Sequence, residues 1–218
     1  MELSAELFSE SWLWAMVAGL APLYWFALRW ADFSRLLSDG VSGAYFGSIV
    51  VLMLVWTLRT DIHAGMVWHL SGMVFITLAW GWSLALLAGL VAQVGLVLAG
   101  LHDWASILPT LWVLVIVPAA LTQLVLGLVR AYLPKHFFIY IFIDAFFCGA
   151  LVAASAVLFS VALLVLAGQA WVPLRDEVMI LIPLMLFPEA FLNGIIVTTL
   201  VALRPQWVWS FRDEEYLK

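Results

Sequence analysis

Charge is what this sequence has least of. Of its 218 residues, 11% are charged, against about 25% in a soluble domain. A chain with 66% hydrophobic residues cannot cover a water-facing surface with so few charges, so its solvent is lipid. Cysteine is nearly absent: Cys148 stands alone in an apolar run, which excludes a disulfide framework. Lysine is confined to Lys135 and Lys218, neither inside an apolar span, so a retinal-type Schiff base is excluded. No basic patch exists for nucleic acid. No basic stretch precedes the first apolar run, where Glu2, Glu6 and Glu10 stand instead, so a cleaved signal peptide is not expected. A Walker A motif, a His-Glu-x-x-His motif and a Gly-x-Ser-x-Gly segment are all missing, and no enzymatic activity is expected.

What is abundant is aromatic and apolar. Thirteen Trp and 14 Phe are present. Many Trp lie at the ends of apolar runs (Trp12, Trp14, Trp25, Trp30, Trp104, Trp207, Trp209), where an amphipathic ring anchors a helix at the headgroups. The runs cover residues 12–28, 44–58, 66–101, 107–129, 137–167 and 178–203. The run at 66–101 has length for about two crossings of roughly 20 residues each, broken near Gly81-Trp82-Ser83. The run at 137–167 exceeds one bilayer crossing and implies tilt or extension beyond the lipid. Pro183 and Pro188 are expected to kink the last span. The reading is an all-α membrane protein, a single transmembrane domain over residues 1–218 with about seven helices, multi-pass in a bacterial inner membrane.

Orientation follows from the basic residues. With the N-terminus outside and the C-terminus cytoplasmic, Arg29, Arg35, Arg130, Lys135, Arg204, Arg212 and Lys218 are inside, and only Arg59 and Arg175 are outside. That is the positive-inside bias. It gathers Asp61, His63, His69, His102 and Asp103 at the outer mouth and leaves His136 inside. Imidazole with carboxylate suits zinc, nickel, copper and cobalt. On one continuous helix His63 and His69 would lie about 120° apart, so they share an ion only if Gly65 marks a turn. His63 otherwise reads as an interfacial histidine. His69, inside an apolar run, reads as functional.

Glu189 lies deep in the last span, with Asn193 one turn on and facing the same way. The pair reads either as a polar lining or as an interhelical hydrogen bond. Asp144 is similar but shallower. Gln93 and Gln123 read as interhelical hydrogen bonds. Gly149, Ala150, Ala153 and Ala154 permit close helix approach.

Two stretches carry a resemblance: His69-Leu70-Ser71-Gly72 with the apolar run to Gly100, and Phe187-Pro188-Glu189-Ala190-Phe191-Leu192-Asn193-Gly194 with its tail to Arg204-Pro205. The chain resembles the energy-coupling factor transporter permeases related to CbiM and NikM, the substrate-binding components for cobalt and nickel. The resemblance implies a helical bundle that captures a divalent transition metal (cobalt, nickel or zinc) as substrate, with no organic cofactor. It implies a transmembrane coupling protein and cytoplasmic ATPase subunits as partners. In those relatives the ion is held by the N-terminal amine, a histidine at position two and a later histidine. The last maps to His69. Position two is Glu2 here, so the implied site draws on His69, His63, Asp61 and His102. Two other classes remain open: a scaffold or assembly subunit whose polar groups only pack helices, and a b-type cytochrome with His69 and His102 as axial ligands.

Overall fold

The computed structural model describes residues 1–38 and 40–217. Lys218, one of the cations assigned to the cytoplasmic side, lies outside the described residues. In chain order the elements are β1 (Glu2–Leu3), α1 (Glu10–Trp30), α2 (Val41–Thr57), β2 (Arg59–His63), β3 (Met66–His69), α3 (Met73–Trp80), α4 (Trp82–Leu98), α5 (Ile107–Tyr132), α6 (Phe137–Leu166) and α7 (Trp171–Leu203). Among the described residues, α1, α5, α6 and α7 are long and apolar enough to cross a membrane. The apolar helices α2 and α4, of 17 residues each, are about 26 Å long at 1.5 Å per residue. Large apolar side chains such as Trp25, Leu54, Leu124, Phe138 and Leu184 point outward, as a lipid-facing surface requires.

The segment expected to form the third span differs from that expectation. Residues 66–69 are strand, and α3 has only eight residues, about 12 Å against a hydrocarbon core of about 30 Å. Gly72 (φ 66°) starts α3 and Gly81 (φ 82°, ψ 165°) separates it from α4. An L-residue is strained at both positions, so glycine breaks the apolar run here. All eight residues of α3 are buried, so hydropathy alone cannot tell this protein-enclosed segment from a lipid-facing span.

A half-helix inside a bundle leaves unpaired N–H groups at one end and unpaired C=O groups at the other. Both ends are satisfied by distant parts of the chain. At the start, the Glu189 carboxylate accepts hydrogen bonds from the backbone N–H of Ser71 (2.7 Å) and Gly72 (2.9 Å). Asn193 Oδ1 accepts from Phe75 N–H (3.0 Å). At the finish, Arg35 Nη1 and the Trp209 N–H donate to Ala79 O (3.1 and 2.8 Å), while the Ser210 N–H and hydroxyl donate to Leu78 O (3.1 and 2.8 Å). An anion at the N-terminus and a cation at the C-terminus also complement the helix dipole.

Helix α7 carries the two prolines. Proline 183 has no N–H to give Met179 O; Ile182 N–H donates there instead, in a tighter turn at Met179–Leu181. Pro188 lies within the regular part of α7. Helices α6 and α7 meet closely at Gly149, where an added Cβ would fall 2.9 Å from Glu189 O and 3.0 Å from Ala190 Cα. The small residue noticed in the sequence thus gives α7 the approach that seats Glu189.

At the end of the bundle where α3 begins, β1, β3 and β2 form a three-stranded antiparallel sheet in that order. The first residues are tied down. Leu3 N–H donates to Thr110 Oγ1 (3.3 Å), Ser4 N–H to Gly65 O (2.8 Å) and Ala5 N–H to Ser106 Oγ (3.2 Å). Met1, Leu3, Phe8 and Met66 form part of an apolar cluster with Met16 and Val113.

Candidate metal-binding site

The sheet decides which polar groups meet. Arg59 pairs directly with His69 across β2 and β3, and Glu2 pairs with Val67, two residues from His69 on the same face. Arg59 Nη1 donates to Glu2 Oε2 at 3.2 Å, and the same oxygen stands 3.6 Å from His102 Nε2. The His69 and His102 rings lie 6.5 Å apart between centroids, and the Trp56 ring lies 6.0 Å from His69. Trp56 is itself held by donating its indole N–H to Ser71 O (2.9 Å). Met1, Glu2, His69 and His102 are all buried.

Burial sets the protonation of these groups. The Met1 amine is pushed down to about 5 by loss of solvent, with Glu189 and Glu2 opposing that shift. His69 is held well below the ordinary imidazole range by burial, and the Met1 amine adds to the effect. His102 falls to about 4 through burial and the nearby Arg59 guanidinium. Burial raises Glu2, while Arg59 pulls it back. At neutral pH the amine and both imidazoles are therefore uncharged, the form in which nitrogen binds a metal.

Each imidazole uses its Nδ1 in the structure. His69 Nδ1 lies 3.2 Å from Leu70 O and His102 Nδ1 lies 3.0 Å from Gln93 Nε2. A carbonyl only accepts, so His69 carries its proton on Nδ1 and presents the Nε2 lone pair. Both Nε2 atoms are buried without a hydrogen-bond partner among the described residues. Buried polar atoms in folded proteins rarely go unsatisfied, and two on rings 6.5 Å apart call for a ligand. Two imidazoles on one ion, with metal–nitrogen distances near 2.0–2.1 Å, have centroids at most roughly 6.4 Å apart. The observed 6.5 Å lies just beyond that limit, so the two rings must close on each other to share an ion. Among the described residues, no three His, Cys, Asp or Glu side chains already stand in a metal-holding group. The donors here are two imidazoles, the Met1 amine and a carboxylate engaged by Arg59.

The residues singled out in the sequence separate into three places. His69 and His102 come together. Asp61 is exposed on β2, opposite Val67, and His63 Nδ1 pairs with Glu177 Oε2 at 2.6 Å, so the structure does not bring either to His69. Glu189 and Asn193 are both buried, and they do more than join two helices. Asn193 Nδ2 donates to Glu189 Oε1 (2.9 Å) and to Glu189 O (2.8 Å), which steadies the carboxylate that caps the segment after His69. Asp144 is buried in a π-helical turn (Tyr140–Phe147), with neither carboxylate oxygen hydrogen-bonded among the described residues. It lies in α6, in the turn that also carries Tyr140, whose hydroxyl meets Ser210 Oγ at 2.6 Å. That is the end of the bundle opposite the histidines.

Sequence reasoning missed Arg59 and Gln93. In the sequence Arg59 is only a charge that counts toward topology. Gln93 reads from sequence as a helix-packing amide, and the one available signal is its spacing of nine residues from His102 across the end of an apolar helix.

A family model described as "Cobalt uptake substrate-specific transmembrane region", CbiM, matches residues 2–207. No curated protein and no solved structure matches the chain.

Proposed function

Since the chain belongs to the family of cobalt uptake substrate-specific transmembrane regions, we propose that it is the substrate-capturing membrane component of an energy-coupling factor type importer for a divalent transition metal ion. The observation that carries this reading is the pair of buried Nε2 atoms, on His69 and His102, without partners among the described residues. The neutral Met1 amine supplies a third nitrogen, and Glu2 offers a carboxylate. Imidazole, amine and carboxylate together suit cobalt, nickel and zinc. A scaffold whose polar groups only pack helices has no use for two unsatisfied imidazole nitrogens at one bundle end.

The metal-binding end is assigned to the outer side and the end carrying Arg35, Arg130 and Lys135 to the cytoplasm, as the bias of basic residues requires. Glu2 carries the negative charge that offsets an arriving cation, and Arg59 neutralises it while the site is empty. Loading an ion would displace Arg59, whose side chain is 38% exposed and free to swing toward water. Transport itself is assigned to partners: a transmembrane coupling protein and cytoplasmic ATPases that recognise the loaded bundle.

Calorimetric titration of the purified protein with cobalt, nickel, zinc and copper ions tests the proposal. One ion per chain is expected, with a dissociation constant of about 1 μM or tighter. His63→Ala is expected to bind within about twofold of the parent, since a surface pair such as His63 with Glu177 contributes little. No heat of binding from any of the four ions would contradict the reading.

A further inference from the structure

Gln93 is fully buried in α4, a costly place for a primary amide. Its Nε2 lies 3.0 Å from His102 Nδ1, and its Oε1 is buried without a hydrogen bond among the described residues. The two ends of a glutamine amide are nearly alike in shape, and which one faces a neighbour is settled by hydrogen bonding. With the nitrogen toward His102, the amide donates to Nδ1, and the imidazole proton must sit on Nε2, facing Glu2 Oε2 at 3.6 Å. With the oxygen toward His102, the amide accepts from Nδ1–H, and the Nε2 lone pair is free. The first state suits an empty site beside a carboxylate. Only the second can take an ion without expelling a proton from the imidazole.

We infer that Gln93 is a positioning residue for the metal site: its amide turns about χ3 when an ion arrives and selects the Nδ1–H tautomer of His102, so that Nε2 becomes a ligand. The change balances. His102 stays neutral, one proton leaves Nε2, one proton arrives at Nδ1, and the amide exchanges a donated hydrogen bond for an accepted one. A residue able only to donate or only to accept could serve one of the two states. His69 needs no such device, because its Nδ1 already faces a carbonyl, which fixes its tautomer. The inference rests on the metal-site reading above and assigns His102 a definite ligating atom.

The test uses the full chain with zinc, which is diamagnetic, and long-range 15N–1H correlations of the histidine rings. In the parent protein, zinc is expected to move the His102 ring proton to Nδ1, and Nε2 is expected to shift as a bound nitrogen. Retention of the proton on Nε2 with zinc bound would overturn the inference. By titration, Gln93→Leu is expected to weaken zinc binding about 10- to 100-fold, the usual cost of removing an outer-shell partner. Gln93→Glu, a permanent acceptor, is expected to stay within a few-fold of the parent. Equal zinc affinity in Gln93→Leu would contradict the inference, and if that variant does not fold, the parent spectra decide. His69→Ala run alongside separates the two claims. Loss in both His69→Ala and His102→Ala with no effect of Gln93→Leu sinks only the role of Gln93. Unchanged binding in His69→Ala sinks the site itself.

Discussion

His69→Ala is expected to lower metal affinity by at least about 100-fold, close to 3 kcal/mol, while the protein still folds. The imidazole is 2% exposed and its Nε2 has no hydrogen-bond partner among the described residues, so its removal takes away a donor without breaking a hydrogen bond at that atom. Among the described residues, the ring's one hydrogen bond, from Nδ1 to Leu70 O, is local. The strand pairing around it is backbone: Arg59 opposite His69 and Asp61 opposite Val67. The variant leaves a cavity beside Trp56, which costs stability as other large-to-small changes do, but the sheet and the cap on α3 remain. Titration with cobalt or zinc reads the affinity, and a thermal transition in detergent reads the fold. Affinity within a few-fold of the parent would remove His69 from the site.

Glu189→Leu is expected to cost about 3–5 kcal/mol of stability, from two or three lost bonds to a buried acceptor at roughly 1–3 kcal/mol each. The carboxylate receives Ser71 N–H, Gly72 N–H and the Asn193 amide. With leucine there, the start of a half-helix enclosed by the bundle has two unsatisfied N–H groups and no water to take them. Ser71 is two residues from His69, so the loss is expected to reach the proposed metal site as well as the fold. The expected results are a thermal transition lowered by many degrees and weaker metal binding together. Glu189→Gln keeps one acceptor oxygen and is expected to fall between the parent and leucine. A thermal transition in Glu189→Leu equal to the parent's would mean that the start of α3 does not depend on this side chain.

These two residues also show where the sequence was readable. An ionisable group inside an apolar run is costly enough to stand out, so His69 and Glu189 were both visible as exceptional. The partners of Glu189 were not, because they are backbone N–H groups 117 and 118 positions away, and backbone groups leave no mark on composition. The long apolar runs gave the helices α1, α2, α5, α6 and α7 close to their observed places. The run from 66 to 80 misled, because hydropathy measures transfer out of water and is the same for a helix in lipid and a helix wrapped by protein. Gly72 and Gly81 were the local signal of the break. The approach of His102 to His69 depends on the loop after α4 folding back over the bundle end, a tertiary event that no local pattern encodes. The separation of His63 from His69 was partly legible: their spacing argued against a shared face, and the turn at Gly65 that could have joined them instead sends His63 toward Glu177.

The central claim is that a divalent ion sits between nitrogen donors at the buried end of this bundle. X-ray absorption at the metal edge of the cobalt- or zinc-loaded protein addresses it most directly. The account predicts a first shell of nitrogen and oxygen at about 2.0–2.1 Å, with the outer-shell scattering of two imidazole rings, reduced to one ring in His102→Ala. A shell without imidazole scattering, or one built on sulfur, would contradict it.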